Sequence, residues 1–213
     1  MSESPTTIYL IRHGETAFNV DSRFRGRVDI PLSKDGFEQA QELAHALCYA
    51  PFAALYSSPL SRAIQTAEAI SLSQCLDIVP HPKFNNIDLG DWTDRPKSEI
   101  ESEYPELWRE WISSPERMSI PNAETIESVR SRSTGALDRL VSLHRGQCFG
   151  IVSHRAVLKP LIASLLFMPE PYFWKLHLNT ASFTVFEHTK ETGYKLLHFN
   201  LTDHLSSYVE EVF

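Results

Sequence analysis

Two histidines and two arginines sit where apolar runs give way to turns. Ile8-Tyr9-Leu10-Ile11 is followed at once by Arg12-His13-Gly14-Glu15-Thr16. Leu55-Tyr56-Ser57-Ser58-Pro59-Leu60-Ser61-Arg62 repeats the order of strand, tight turn and helix start with a second arginine, and Phe149-Gly150-Ile151-Val152-Ser153-His154 repeats it with a second histidine. A buried strand end is a poor place for bare charge, so cations gathered there call for an anion. Backbone N–H groups at a strand-to-helix turn point beyond the carboxyl edge of a sheet, where amide, guanidinium and imidazole would meet one ligand. A phosphoryl group fits that combination best. Taken singly, each residue has a plainer reading, a satisfied core histidine or a helix-start ion pair. Their joint occurrence at three strand ends favours the chemical one.

With their neighbours, these stretches resemble the histidine phosphatase superfamily, also called the phosphoglycerate-mutase-like family, in its short phosphatase branch. The resemblance runs through IYLIRHGETAFN, FRGRVDIPLSKDGFEQAQELAHAL, LYSSPLSRAIQTAEAI, NNIDLGDW and GIVSHRAVLK to NTASFTVFE, nearly the whole chain. It implies a phosphomonoesterase of small cytoplasmic phosphate esters that works through a phosphohistidine, with no cofactor and no metal. Ester cleavage needs an in-line nucleophile, positive groups for the nonbridging oxygens and a proton for the leaving alkoxide. His13, with one ring nitrogen held by an acceptor such as a turn carbonyl, can attack. Arg12 and Arg62 would clamp the phosphoryl oxygens by paired N–H bonds, and His154 would donate to the same oxygens. Gly14, Thr16, Asn19, Arg25 and Gly26 match family positions that line the phosphate and the substrate behind it. Arg25 stands where many relatives carry glutamine. With Arg23 and Arg27 it makes an alternating basic stretch suited to a substrate of extra negative charge, although a solvated loop is the alternative for Arg23 and Arg27.

One departure from the family lies in Phe84-Asn85-Asn86-Ile87-Asp88-Leu89-Gly90-Asp91-Trp92. The resemblance places a glutamate, the usual acid, where Asn86 stands, and an amide has no transferable proton. Asn86 can still hydrogen-bond phosphate or water. In an extended segment, residues two apart face the same side about 6.5 Å from each other, so Asp88 is the first replacement, with Glu15 and Glu124 in reserve. The alternative for Asp88 is a carboxylate that stabilises the turn before Gly90. Arg155, after His154, either adds to the positive pocket or points into solvent. Two further readings stay open: a phosphoglycerate mutase, disfavoured by chain length and by Asn86, and a catalytically weak phospholigand-binding module.

The elements that must position these groups alternate in the βα manner. Residues 8–11, 53–56 and 148–152 read as short buried strands. Ser33 can cap a helix with Phe37, Ala40, Leu43, Ala44 and Leu47 at helical spacing, stopped before Pro51. Ala63, Ile64, Ala67 and Ile70 stripe a helix over 61–70, and the longest helical stretch, 125–144, is closed by Gly146. A further helix over 156–167 must accommodate Pro160. Residues 182–187 and 194–199 look like a terminal hairpin around Gly193. The fold class expected is α/β: a three-layer sandwich, a mostly parallel central sheet with helices on both faces, in a single domain over 1–213. The segment 92–121, rich in prolines and aromatics, breaks the alternation. The family resemblance makes it a small helical cap, while any single aromatic there is equally well read as satellite core.

Composition agrees. A chain of 213 residues with 42% hydrophobic and 22% charged residues is sized for one ordered globular domain. The net charge of −7 without a long basic run argues against a nucleic-acid surface, so a phosphate pocket must be a local positive island. Cys48, Cys75 and Cys148 have no metal-like spacing, and no apolar run is long enough to span a bilayer. A reducing cytoplasm and a small-molecule phosphate ester as partner are therefore expected, with no membrane and with a homodimer as an open option.

Overall fold

The computed structural model describes residues 4–17 and 22–208. Strands β1 (Thr6–Arg12), β2 (Phe52–Ser57), β3 (Ile78–Pro80), β4 (Cys148–Ser153), β5 (Phe183–Thr189) and β6 (Gly193–Leu201) form one sheet in the order β3-β2-β4-β1-β5-β6. The pairs from β3 through β1 are parallel, whereas β5 runs antiparallel to β1 and β6 to β5. The helices are α1 (Lys34–Ala46), α2 (Ser61–Gln74), α3 (Lys97–Glu103), α4 (Pro105–Ser113), α5 (Ile126–Leu143) and α6 (Arg155–Leu165). The mixed α/β architecture with a mostly parallel sheet is thus the one expected. Strand β3 was not, because three residues ending in proline carry no alternation to read.

Side chains alternate across each strand and so divide the core in two. Ile8, Leu10, Phe149 and Ile151 pack with Val129 and Leu137 of α5 and Leu158 and Leu161 of α6. Ile11, Leu55 and Val152 pack with Leu43 of α1 and Ala63, Ala67 and Ile70 of α2 on the opposite face. Caps fix where two of these helices begin. The Ser33 hydroxyl accepts from Gly36 N–H at 3.0 Å, and the Thr125 hydroxyl accepts from Ser128 N–H at 3.1 Å. Pro160 falls inside α6, whose surface around it is buried.

Close backbone approach seats α1 against the turn after β1. A Cβ on Gly36 would lie 2.0 Å from the Glu15 carbonyl oxygen, and one on Gly14 2.6 Å from that of Gly36. No side chain fits at either position without moving the turn that carries His13. On the other side of the site, Trp92, in the turn before α3, and Trp111 of α4 close on Phe24, with ring centroids 5.0 and 5.3 Å away. Trp92 is fully buried in the core. The buried Glu116 carboxylate accepts from Tyr172 and Phe173 N–H, at 2.6 Å each, and so ties the end of this segment to the chain beyond α6.

Candidate phosphoryl-transfer site

Parallel register brings three strand ends to one edge: Arg12 stands beside Ser153, and Ser57 beside Val152. The turns beyond them are stitched together, His13 N–H donating to Ser153 O at 3.1 Å and Ser58 N–H to Val152 O at 2.9 Å. His13 and His154 consequently face each other with ring centroids 5.0 Å apart and planes 61° apart. Both rings are buried.

Each ring is held by a different kind of partner. His13 Nδ1 lies 2.6 Å from Gly14 O. A carbonyl can only accept, so Nδ1 carries the proton and Nε2 keeps its lone pair. His154 Nε2 lies 2.7 Å from Ser58 Oγ, which itself accepts from Leu60 N–H at 3.4 Å. A hydroxyl both donates and accepts, so this contact fits either tautomer of the ring; His154 Nδ1 is buried without a hydrogen-bond partner. His13 Nε2 thus offers an electron pair, and the Ser58 contact fixes how the His154 ring stands beside it. Ser58 escaped the sequence reading: its neighbours marked a strand end, but nothing in the spacing pairs it with a residue 96 positions away.

The charges around the rings reinforce these states. Burial, then the guanidiniums of Arg62, Arg12 and, more weakly, Arg25, hold the His13 pKa well below 6.5, against the Gly14 carbonyl. Burial and the same arginines, with His13, lower that of His154. Arg62 is fully buried, its Nη1 donating to Val28 O at 2.9 Å and Nη2 to Gly26 O at 3.3 Å. Burial and the nearby Arg25 push its pKa down to about 10, with Asp29 opposing. Arg12 Nη1 donates to Leu178 O at 2.5 Å. Four positive or proton-donating groups so close together are a costly arrangement that an oxyanion relieves.

A stability prediction follows from the sign of these shifts. Unfolded histidine takes a proton near pH 6.5, while the two folded rings resist it to lower pH, so below about 6.5 the unfolded state binds more protons. The stabilising contribution is complete above that pH and is lost as pH falls toward the folded values. The urea midpoint should drop between pH 7.5 and 5.5, and a His13→Asn/His154→Asn double variant should lose clearly less over that interval. An equal loss would show that other groups carry it.

Between the rings and α4 lies a cavity of about 90 Å³ whose wall includes His13, His154, Arg12, Arg25, Gly26 and Asn86. Asn86 Nδ2 donates to Gly26 O at 2.6 Å, while its Oδ1 is buried without a hydrogen-bond partner. Gly14 and Thr16 are buried and outside the wall, Gly14 N–H donating to the Thr66 hydroxyl at 3.1 Å and that hydroxyl to Arg62 O at 2.7 Å. Asn19 lies outside the described residues. Asp88 is placed in the turn, not on the wall: Oδ1 accepts from Gly90 N–H at 3.0 Å and Oδ2 lies 3.5 Å from Arg27 Nη1. Glu124 is held by Arg132 at 2.6 Å and Arg27 at 3.2 Å, and Glu15 accepts from the Ser33 hydroxyl at 2.8 Å. Arg27 also donates to Asn86 O, while Arg23, paired with Asp94, reaches the wall. Arg155 lies on the wall, its guanidinium 5.8 Å from the Trp174 ring. Among the described residues, no three His, Cys, Asp or Glu side chains gather as a metal ion would require, and no helix is long and apolar enough to cross a membrane.

A parallel sheet with two facing histidines and two buried arginines at its carboxyl edge defines a class of phosphoryl-transfer proteins. The chain belongs to the histidine phosphatase superfamily (branch 1), which matches residues 8–202. It is 31% identical over 204 residues to phosphoserine phosphatase 1 of Hydrogenobacter thermophilus, covering 96% of both chains. Among solved structures it resembles YhfR of Bacillus stearothermophilus, with a TM-score of 0.90 at 30% identity over 94% of this chain and all of that one. It also resembles a phosphoserine phosphatase of Entamoeba histolytica, solved as a mutant with phosphoserine, with a TM-score of 0.84 at 28% identity, covering 94% and 99%.

Proposed function

We propose that the chain is a phosphomonoesterase of small cytoplasmic phosphate esters and that His13 carries the phosphoryl group between the two half-reactions. The observation that carries this reading is His13 held on the Gly14 carbonyl with Nε2 unprotonated, facing His154 beside the buried Arg12 and Arg62. His13 Nε2 attacks phosphorus, the P–O bond breaks with its electrons on the ester oxygen, which takes a proton from water as it departs, and a phosphohistidine forms. Arg12 and Arg62 balance the nonbridging oxygens, with His154 Nδ1–H donating to one of them. Water then attacks phosphorus, the N–P bond breaks, and Nε2 recovers its electron pair. Gly26 and Arg25 shape the inner wall, and Asn86 Oδ1 accepts from the attacking water. The relatives named for phosphoserine support a small phosphorylated metabolite as substrate.

The test is a trapping experiment. Brief exposure to a ³²P-labelled aryl phosphate followed by alkaline denaturation, which preserves phosphohistidine, should leave label on the peptide containing His13. Turnover of the same ester with label never appearing on that peptide would overturn the reading.

A further inference from the structure

We infer, resting on the phosphatase reading, that Glu124 is a positioning residue: without touching the substrate, it anchors the turn that sets the plane of the Arg62 guanidinium. The chain of contacts runs outward from the site.

Residues 25–28 form a tight turn, closed by Val28 N–H donating to Arg25 O at 3.1 Å. Gly26 takes a φ of +52° there, a conformation that side chains rarely adopt. Two carbonyls of this turn orient the site. Arg62 Nη2 donates to Gly26 O at 3.3 Å and Nη1 to Val28 O at 2.9 Å, so the plane of its fork follows them. Gly26 O also accepts from Asn86 Nδ2 at 2.6 Å. A shift of the turn therefore moves a phosphoryl-clamping arginine and a cavity-wall amide together.

Arg27, between those two carbonyls, anchors the turn. Its Nε donates to Asn86 O at 3.1 Å, its Nη2 to Glu124 Oε2 at 3.2 Å, and its Nη1 lies 3.5 Å from Asp88 Oδ2. Glu124 holds a second arginine from α5: Arg132 Nε donates to Oε1 at 2.6 Å and Nη2 to Oε2 at 3.0 Å. Arg132 Nη2 also reaches Asn86 O at 3.3 Å, and Nη1 donates to Lys83 O at 2.5 Å. Two guanidiniums thus converge on one backbone carbonyl, and Glu124 is the carboxylate they share. Its own N–H donates to Asp88 O at 2.9 Å, which fixes it to the same segment.

The Glu124 and Arg132 side chains are only 13% and 11% exposed, so water screens this pair less than an ordinary surface ion pair. Without the negative charge, Arg27 and Arg132 would repel each other across Asn86 O, and Arg27 carries the turn with it. Both carboxylate oxygens are occupied by arginine N–H groups, so Glu124 acts through Arg27 and not on the ester. Displacing a reacting or orienting group by about 1 Å costs on the order of a hundredfold in rate, which makes so indirect a contact measurable.

The experiment uses Glu124→Gln, which keeps the volume and removes the charge. It should lower kcat on nitrophenyl phosphate and on phenyl phosphate by the same factor, about ten- to a hundredfold, with KM changed less. The phosphoryl oxygens that Arg62 meets are common to both esters, whereas the basicity of the leaving group is not. In an Arg62→Lys background the same substitution should cost less than about threefold, because the fork it orients is already gone. Arg27→Met cuts the link from the side of the turn and should show the same loss and the same coupling, a second route if Glu124→Gln folds poorly. Near-wild-type kcat in both variants, losses that multiply in full with that of Arg62→Lys, or a loss much larger on phenyl phosphate, as removal of a proton donor would give, would each overturn the assignment. If the wild-type protein turns over nitrophenyl phosphate and labels His13 in that event, only the role of Glu124 is lost. If it does neither, the phosphatase reading has failed and this inference with it.

Discussion

Replacing His13 with alanine should lower kcat on nitrophenyl phosphate by about 10⁴- to 10⁶-fold, the range seen when a nucleophile is removed from a preorganised set. The ring occupies a site that nothing else nearby can fill. The other buried ring of the site, His154, has its Nε2 engaged by the Ser58 hydroxyl. Cys148, the buried cysteine, lies at the opposite end of β4, and burial pushes its thiol up to about 12. The fold should survive, since His13 meets its surroundings chiefly through the backbone: N–H to Ser153 O, and its own carbonyl accepting from Ala181 N–H at 3.1 Å. A His13→Ala protein that keeps more than about a hundredth of wild-type kcat would place the nucleophile elsewhere.

Arg62→Lys should cost about 10²- to 10³-fold in kcat while the positive charge is kept. Two N–H groups of the wild-type fork go to Val28 O and Gly26 O, fixing its plane, and the others remain for phosphoryl oxygens. A lysine ammonium cannot hold both carbonyls and reach an equatorial oxygen in that plane. The loss should fall on kcat more than on KM, because the charge on those oxygens rearranges as the phosphoryl group transfers. A thermal midpoint within a few degrees of wild type separates this from simple unfolding. If lysine restores near-wild-type kcat, the fork geometry is irrelevant and Arg62 serves as a charge alone.

Much of this site was legible because its parts are local. The runs before Arg12, Ser57 and His154 are short and apolar, each followed by a turn and then a stretch at helical spacing, so the strand ends declare themselves. That they share one edge follows from the parallel order, which the intervening helices imply. Asp88 shows what local spacing misses. Two residues along an extended segment do share a face, but Leu89 ends the extension and Gly90, at φ +49°, begins a 3-10 turn onto which the carboxylate folds. A Cβ at Gly90 would lie 2.3 Å from Pro121 O, so the bend is built into the contact with the next segment. The aromatics of 92–121 divide by the same logic: Trp92 enters the core and Trp111 reaches the cavity wall, a distinction set by tertiary packing and invisible in their spacing. The Ser58 hydroxyl and its hold on His154 depend on register between β2 and β4, which no one-dimensional pattern reports.

The central claim, that two histidines and two arginines surround one tetrahedral oxyanion with His13 Nε2 in line for attack, is tested most directly by a crystal structure with vanadate. The expected result is vanadium bonded to His13 Nε2, with equatorial oxygens in hydrogen-bond reach of Arg12, Arg62 and His154 Nδ1, and the apical oxygen facing Asn86. Vanadate bound away from His13, or approached by His154 while His13 stays on its carbonyl with Nε2 turned aside, would contradict the account.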